Sequence, residues 1–187
     1  QAEPGVDVVA ASSGRVRVLG LMGVAANVLL AGLLAREKRF DLVGFLDAAV
    51  QQVRPYALQQ GVSVISEAAH GETIVADGEQ LGQALLNLLL NAVQASAPGG
   101  AIRLSGRRDA AGVELVVADA GKGMAPEVQE RACDPFFTTR PDGTGLGLAL
   151  VAAVVQEHGG QLRFDSAIGQ GTRVSIVIPQ EVAHGAG

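Results

Sequence analysis

The sequence is poor in the residues that build several common kinds of site. One cysteine, Cys133, stands among 187 residues, so no intramolecular disulfide can form and no multi-cysteine zinc site can be assembled. Such a chain suits the reducing cytoplasm. Tryptophan is absent and aromatic residues make up 3% of the chain, which leaves no platform for stacking bases. Basic residues are outnumbered, 14 against 19 acidic, for a net charge of −5 and a pI near 5.1. No basic groove is available, and nucleic acid is not an expected partner. Charge is sparse overall at 18%, against 48% hydrophobic residues, a balance that buries one good core with a small appendage and argues against disorder. There is no internal repeat and no low-complexity block. The chain opens at Gln1 without methionine or a charged-then-apolar leader, so it reads as a segment of a longer protein.

Residues 1–13 form a weakly patterned lead-in. Residues 18–35 carry no charge and are flanked by Arg15 and Arg17 on one side and by the basic stretch 36–39 on the other. That length sits at the lower edge of a bilayer span, roughly 17–25 residues. Asn27 in the middle, three glycines and flanks without orientation bias favour a buried bundle or dimer-interface helix over a membrane segment. Asp41 can cap a helix whose apolar positions are Leu42, Phe45, Leu46, Ala49, Val50 and Val53, closing near Gly61. Strands are expected at 62–65 and 73–75. Asp77 followed by Gln80 predicts a capping box opening a helix over 78–96, which Pro98, Gly99 and Gly100 end. Two strands, 102–107 and 113–118, flank a turn from Asp109 to Gly112. An irregular piece follows, then a helix over 146–157 and strands at 161–164 and 172–178. The remainder, 180–187, reads as a loose tail.

The chain is organised around 134–151, DPFFTTRPDGTGLGLALV. Gly143, Gly145 and Gly147 let backbone N–H groups approach a ligand without a Cβ in the way, and the helix start behind them favours negative charge. A plain flexible turn before a helix fits the same glycines. Leu148 stands where a dinucleotide fingerprint would close, and no Gly-Lys-Ser/Thr of a P-loop follows. Asn87 and Asn91, four apart on one helix, share a face on a segment otherwise almost saturated with leucine. A carboxamide oxygen is a suitable hard ligand for Mg²⁺ beside phosphates, although two amides bonded to nearby backbone would look alike. Asp119 follows a strand and precedes glycines, where its carboxylate could accept from an exocyclic amine or serve an ordinary turn. Arg140 offers a cation at the mouth of the glycine loop, or a solvated surface charge.

Taken in order, Asn-x-x-x-Asn on a helix, Asp-x-Gly-x-Gly after a strand, Phe-Phe-Thr-Thr and Gly-Thr-Gly-Leu-Gly-Leu resemble the N, G1, F and G2 boxes of sensor histidine kinases, which share their ATPase fold with gyrase, Hsp90 and MutL. The resemblance covers about 40–179, and the stretch FFTTRPDGTGLGLALV is most similar to the nitrogen-regulation type, with its compact ATP lid. It implies a two-layer α/β sandwich with a mixed sheet, the Bergerat fold, preceded by an N-terminal helix. It also implies that Asn91 binds Mg²⁺ with Asn87 beside it near the phosphates of ATP. Asp119 then matches the carboxylate that reads the adenine amine, Gly121 and Gly123 let the chain pass close to the base, and Thr172 supports adenine binding, often through water. Thr138, Thr139 and Arg140 fall in the lid. Gly143, Gly145 and Gly147, with Thr144 and Leu146 between them, match the lid end that wraps the phosphates. Ala120 departs from the asparagine often found there, which removes one polar contact.

The ATP-hydrolysing relatives have a water-activating glutamate at the position of Asn87, and an amide has no basic character. Hydrolysis is therefore expected to be slow, and Asn87 and Arg140 to serve in-line transfer by positioning and charge neutralisation. The resemblance implies that the acceptor is a histidine on a dimerisation domain. None of His70, His158 and His184 has the surrounding pattern, and His158 at a helix end has an electrostatic rationale. The acceptor is expected upstream, with 1–39 as a remnant of the dimerisation domain, 40–179 as the catalytic domain and 180–187 as tail. The expected function is the catalytic ATP-binding domain of a homodimeric, cytoplasmic two-component kinase that passes the phosphoryl group on to a response-regulator receiver domain. A hydrolysing clamp and a non-catalytic interaction module are the alternatives.

Overall fold

The computed structural model describes residues 37–141 and 143–180. The uncharged segment 18–35, Asp142 and the tail with His184 lie outside the described residues.

Asp41 closes strand β1 (Lys38–Asp41) and caps helix α1 (Leu42–Gln59), its carboxylate accepting from the Gly44 N–H at 2.7 Å. The helix buries Leu42, Leu46, Ala49, Val50, Val53 and Ala57, one stripe at helical spacing. Strands β2 (Ser63–Ala68) and β3 (Thr73–Ala76) lead to α2 (Gly78–Ala95). A hairpin of β4 (Ala101–Asp109) and β5 (Gly112–Asp119) comes next, then the short α3 (Pro126–Arg131), α4 (Gly147–Glu157), β6 (Gln161–Ser166) and β7 (Thr172–Ile178).

Five strands form one sheet in the order β2-β4-β5-β7-β6. The β2–β4 pair is parallel and the others antiparallel, so the sheet is mixed, as expected. Alternation along the strands turns Ile102, Leu104, Val113, Leu115, Val117, Leu162, Phe164, Val174, Ile176 and Ile178 inward, where they join the buried sides of α1, α2 and α4 in one core. On α2 the buried positions are Leu81, Ala84, Leu85, Leu88, Leu89, Ala92 and Val93. Each fully buried leucine contributes about 1.5–3 kcal/mol of transfer free energy, so α2 is the best-anchored element of the helical layer.

The two strands read near residues 62–75 go to different places. β2 joins the main sheet beside β4, whereas β3 pairs antiparallel with β1 in a separate two-stranded ribbon. Neither β1 nor α3 was foreseen. β1 is four residues long and almost wholly exposed, and α3 has six residues with none buried, so neither is long enough to display a period. Gln180, read as part of a loose tail, instead completes the outer edge of β3. Its Oε1 accepts from the Val75 N–H at 2.7 Å and its Nε2 donates to the Val75 carbonyl at 3.1 Å, as a neighbouring strand would.

Candidate nucleotide site

Two groups of sequence-predicted residues meet at opposite ends of the C-terminal half of α2. The first lies where α4 begins. Asn87 and Asn91 sit at the margin of the buried stripe of α2, each half-buried, so they do not suffer the full desolvation of a leucine-lined interior. Asn87 donates from Nδ2 to the Gln83 carbonyl at 2.9 Å, the backbone bond an ordinary helical amide makes. The rest of its side chain is not ordinary, because Oδ1 then faces Gly147, where a Cβ would come within 3.1 Å of it and 3.9 Å of Asn91 Nδ2. A glycine lets the helix start come this close to both amides without displacing the Asn87 side chain. Asn91 Oδ1 accepts a hydrogen bond from Arg140 at 2.8 Å. Arg140 is therefore not a solvated surface charge; it bridges the loop before α4 to α2.

Leu146 precedes the first turn of α4 and provides no side-chain cap. The first N–H groups of that helix lack an intrahelical partner by geometry, and they meet the positive end of the helix dipole at Gly147. A phosphate group suits such a place. The loop is held shut by its own backbone. Phe136, exposed and with a positive φ of 67°, donates its N–H to the Gly145 carbonyl at 2.9 Å. Thr138 is exposed and folds back on its own loop, its hydroxyl accepting from the Arg140 N–H at 3.1 Å, so it shapes the lid. Thr139 and Thr144 are exposed, and Thr144 makes a long contact of 3.4 Å with the Leu146 N–H. Just before the loop in sequence, burial and the neighbouring Asp134 charge push the Cys133 thiol up to about 12.

The second group lies where β5 ends. Asp119 Oδ1 accepts from the Gly121 N–H at 2.8 Å. Burial raises its carboxyl above the ordinary aspartate range, against the N–H groups of Gly121 and Thr172, which pull it down. The chain then crosses the end of α2, with the Lys122 N–H bonded to the Ala95 carbonyl at 3.1 Å. A Cβ on Gly121 would lie 2.6 Å from the Ala95 carbonyl carbon, which explains a glycine there without reference to a ligand. Thr172 is the register partner of Asp119 across β5 and β7. A cleft opens at these strand ends, with Asp119, Ser166, Gly171 and Thr172 in its wall.

Two residues of this neighbourhood escaped the sequence reading. Ser166 donates its single hydroxyl proton to the Gly171 carbonyl at 2.8 Å and accepts from the Met124 N–H at 2.9 Å. Its 2.9 Å contact with Thr172 Oγ1 must then carry the threonine proton, so Thr172 has only acceptor capacity left for anything in the cleft. Gln129 on α3 donates to the carbonyls of Met124 and Ser166 at 3.1 and 2.8 Å, clamping the loop after Asp119 to β6. His158, read from the sequence only as an electrostatically placed helix-end residue, bonds at the other end of α2. The capping box read from Asp77 and Gln80 is half formed: Asp77 accepts from the N–H groups of Glu79 and Gln80 at 3.0 and 3.1 Å, but Gln80 returns to the Asp77 carboxylate at 3.4 Å. The Asp77 N–H goes to His158 Nε2 at 3.1 Å. No sequence signal links residues 81 positions apart.

Among the described residues no group of three or more His, Cys, Asp or Glu could hold a metal. A divalent ion here would need ligands from a bound phosphate beside one amide oxygen, an arrangement that suits Mg²⁺. The donor set agrees, since Asn91 Oδ1 already attracts a cation in Arg140.

Residues 76–182 match the family described as histidine kinase-, DNA gyrase B-, and HSP90-like ATPase, more than half of the 187 residues. The sensor histidine kinase ZraS of Escherichia coli O157:H7 is 43% identical over 109 residues, 58% of this chain and 24% of that protein. The solved mycobacterial sensor histidine kinase MprB has a TM-score of 0.68 at 33% identity, covering 76% of this chain and 97% of that one. ShkA, solved at full length in complex with AMPPNP, gives a TM-score of 0.70 at 30% identity and covers 79% of this chain and 32% of its own. The chain spans about a quarter of the length of the ZraS relatives it matches. With more than half of its residues matching that family and a backbone similar to solved histidine kinases, the chain belongs to the histidine kinase-, DNA gyrase B- and HSP90-like ATPase family.

Proposed function

We propose that this chain is the ATP-binding catalytic module of a two-component sensor histidine kinase, positioning the γ-phosphoryl group of ATP for transfer to a histidine outside residues 1–187. The observation that carries this reading is the contact of Gly147 with Asn87 and Asn91, beside an Arg140 that reaches Asn91 Oδ1. Among the described residues, two amides, a guanidinium and the start of a helix converge there. Phosphate oxygens would meet the N–H groups of α4, and Arg140 would neutralise charge at the terminal phosphate. Asn91 would hold Mg²⁺, which supplies charge neutralisation on the phosphates when bound. Asn87 cannot take a proton from water at neutral pH, so the module suits transfer to a second group better than hydrolysis. A hydrolysing clamp would want a carboxylate at position 87, where this chain has an asparagine.

Asp119 would accept from the adenine amine with Thr172 at its side, while Gly121 and Gly123 keep the loop thin beneath the base. The acceptor histidine would precede the catalytic domain, on a dimerisation helix to which 18–35 belongs, and a receiver-domain aspartate would take the phosphoryl group afterwards. His158 is a poor acceptor, because both of its ring nitrogens are already bonded within the fold. No helix of the described residues is long and apolar enough to cross a membrane, and we place this module on the cytoplasmic side.

Calorimetric titration with ATP, with and without Mg²⁺, tests the reading. Binding should weaken at least tenfold in Asp119→Asn and lose its Mg²⁺ dependence in Asn91→Ala. Absence of saturable binding by the unaltered chain would sink it in favour of a scaffold role.

A further inference from the structure

The imidazole of His158 connects the ends of two helices that both reach the candidate phosphate site. Its Nδ1 lies 2.8 Å from the Val154 carbonyl. A carbonyl only accepts, so Nδ1 carries the proton, and Nε2 is left bare to accept from the Asp77 N–H at 3.1 Å. The ring is thereby fixed as one neutral tautomer. The Val154 carbonyl, near the end of α4, already accepts from the His158 N–H at 3.2 Å and takes the imidazole as a second donor, whereas the Asp77 N–H precedes the first turn of α2 and has no partner inside that helix. One side chain thus bonds the C-terminal end of α4 and satisfies the orphan N–H that opens α2.

The consequence reaches further than capping. α4 meets α2 in antiparallel fashion, with Gly147 against Asn87 and Asn91 at one end and His158 against Asp77 at the other. Residues 147 and 158 are about 16 Å apart along α4 at a rise of about 1.5 Å per residue, and Asp77 lies about 15 Å along α2 from Asn87. The two contacts therefore pin the same length of helix pair at both ends. A slide by one residue, about 1.5 Å, would break the bond to Asp77 and carry Gly147 off the Asn87 amide, where a Cβ would have only 3.1 Å to spare.

We propose that His158 is a positioning residue for phosphate and Mg²⁺ binding: it sets the axial register of α4 against α2, and with it the placement of Gly147 against Asn87 and Asn91. This rests on the nucleotide-site reading given above. The adenine end of that site stands on β5 and β7 and does not depend on the register.

Two variants separate the link from the cap. In His158→Asn the shorter amide can still donate to the Val154 carbonyl but does not reach Asp77. In His158→Gln the longer side chain places an acceptor where Nε2 was. Amide-resolved NMR of the ligand-free chain is the first measurement. In His158→Asn, the Asp77 amide should lose exchange protection and the signals of Gly147 and of the Asn87 and Asn91 side chains should shift, with Asp119 and Gly121 unmoved. His158→Gln should resemble the unaltered chain. Titration with Mg·ATP is the second, and affinity should fall about tenfold in His158→Asn while staying within threefold in His158→Gln. Unshifted Gly147 and asparagine signals, or equal Mg·ATP affinity in the two variants, would overturn the proposal. Should the unaltered chain bind no nucleotide, the site reading fails by itself, and the NMR comparison still decides whether His158 sets the register.

Discussion

Asp119 carries its negative charge at a cost. Burial raises its carboxyl above the usual range even though two N–H groups stabilise the anion. In the window between the ordinary and the raised value the folded chain holds the proton more tightly than the unfolded one. The group therefore favours folding at low pH, and that contribution is lost as pH rises through the folded value. At neutral pH the ionised carboxylate works against stability, and its position is explained by what it would bind. Asp119→Asn should consequently melt at the same temperature as the unaltered chain or higher at pH 7, and lose that relative advantage as the pH is lowered. A melting series from pH 4 to 8 checks it, and a lower melting temperature for the variant at pH 7 would contradict the burial argument. The same elevation means that adenine recognition should fade on acidification earlier than an ordinary aspartate would allow. Around Asp119, the glycines and the threonine were legible in the sequence because motif order names them. The hydroxyl of Ser166, which fixes the proton direction of Thr172, was not, since only register across β6 and β7 brings Ser166 opposite Thr172.

Between elements, the lid and α2 are tied by one hydrogen bond that has to be exchanged if the proposed site is to fill. Arg140 occupies Asn91 Oδ1, the atom assigned to Mg²⁺. A cation cannot be bound there while another is held, so metal binding and release of Arg140 are linked. With ADP there is no γ-phosphate to receive the freed guanidinium. Arg140→Gln should therefore tighten Mg·ADP binding, about threefold, equivalent to about 0.6 kcal/mol, and leave metal-free ADP almost unchanged. Calorimetry with both forms reads this, and weaker Mg·ADP binding in the variant would refute the exchange. The helix that carries the asparagines was predictable from its leucine period and Asp77 cap. Its capping box was misread because Gln80 and His158 compete for one N–H, and local spacing sees only Gln80. β1 and α3 were invisible for a related reason: elements this short are made by their neighbours.

For the molecule as a whole, Cys133 is a built-in reporter. Its thiol is buried with the core just before the lid in sequence, 6% exposed and pushed up to about 12, so it is neutral at ordinary pH. Alkylation by iodoacetamide at pH 8 should proceed only through opened molecules, far more slowly than in urea, and saturating Mg·ATP should slow it further by stabilising the closed form. Labelling at the denatured rate would show that the lid base is open in the resting chain. What the sequence by itself determined were the elements with a period or a motif: the helices α1, α2 and α4, the β4–β5 hairpin, and the ordered run of asparagines, Asp119 and glycines that resembles the kinase family. These follow from local sterics and hydrophobic spacing, which a single segment carries. Only the tertiary structure decided that β2 and β3 part into different sheets, that Gln180 closes the edge of β3, that Arg140 rests on Asn91 and that His158 pins α4 to α2. Each of those is a backbone or side-chain polar group finding its partner across dozens of residues. Such pairings depend on which groups the packed core leaves unsatisfied and brings within about 3 Å, and that is a property of the assembled layers.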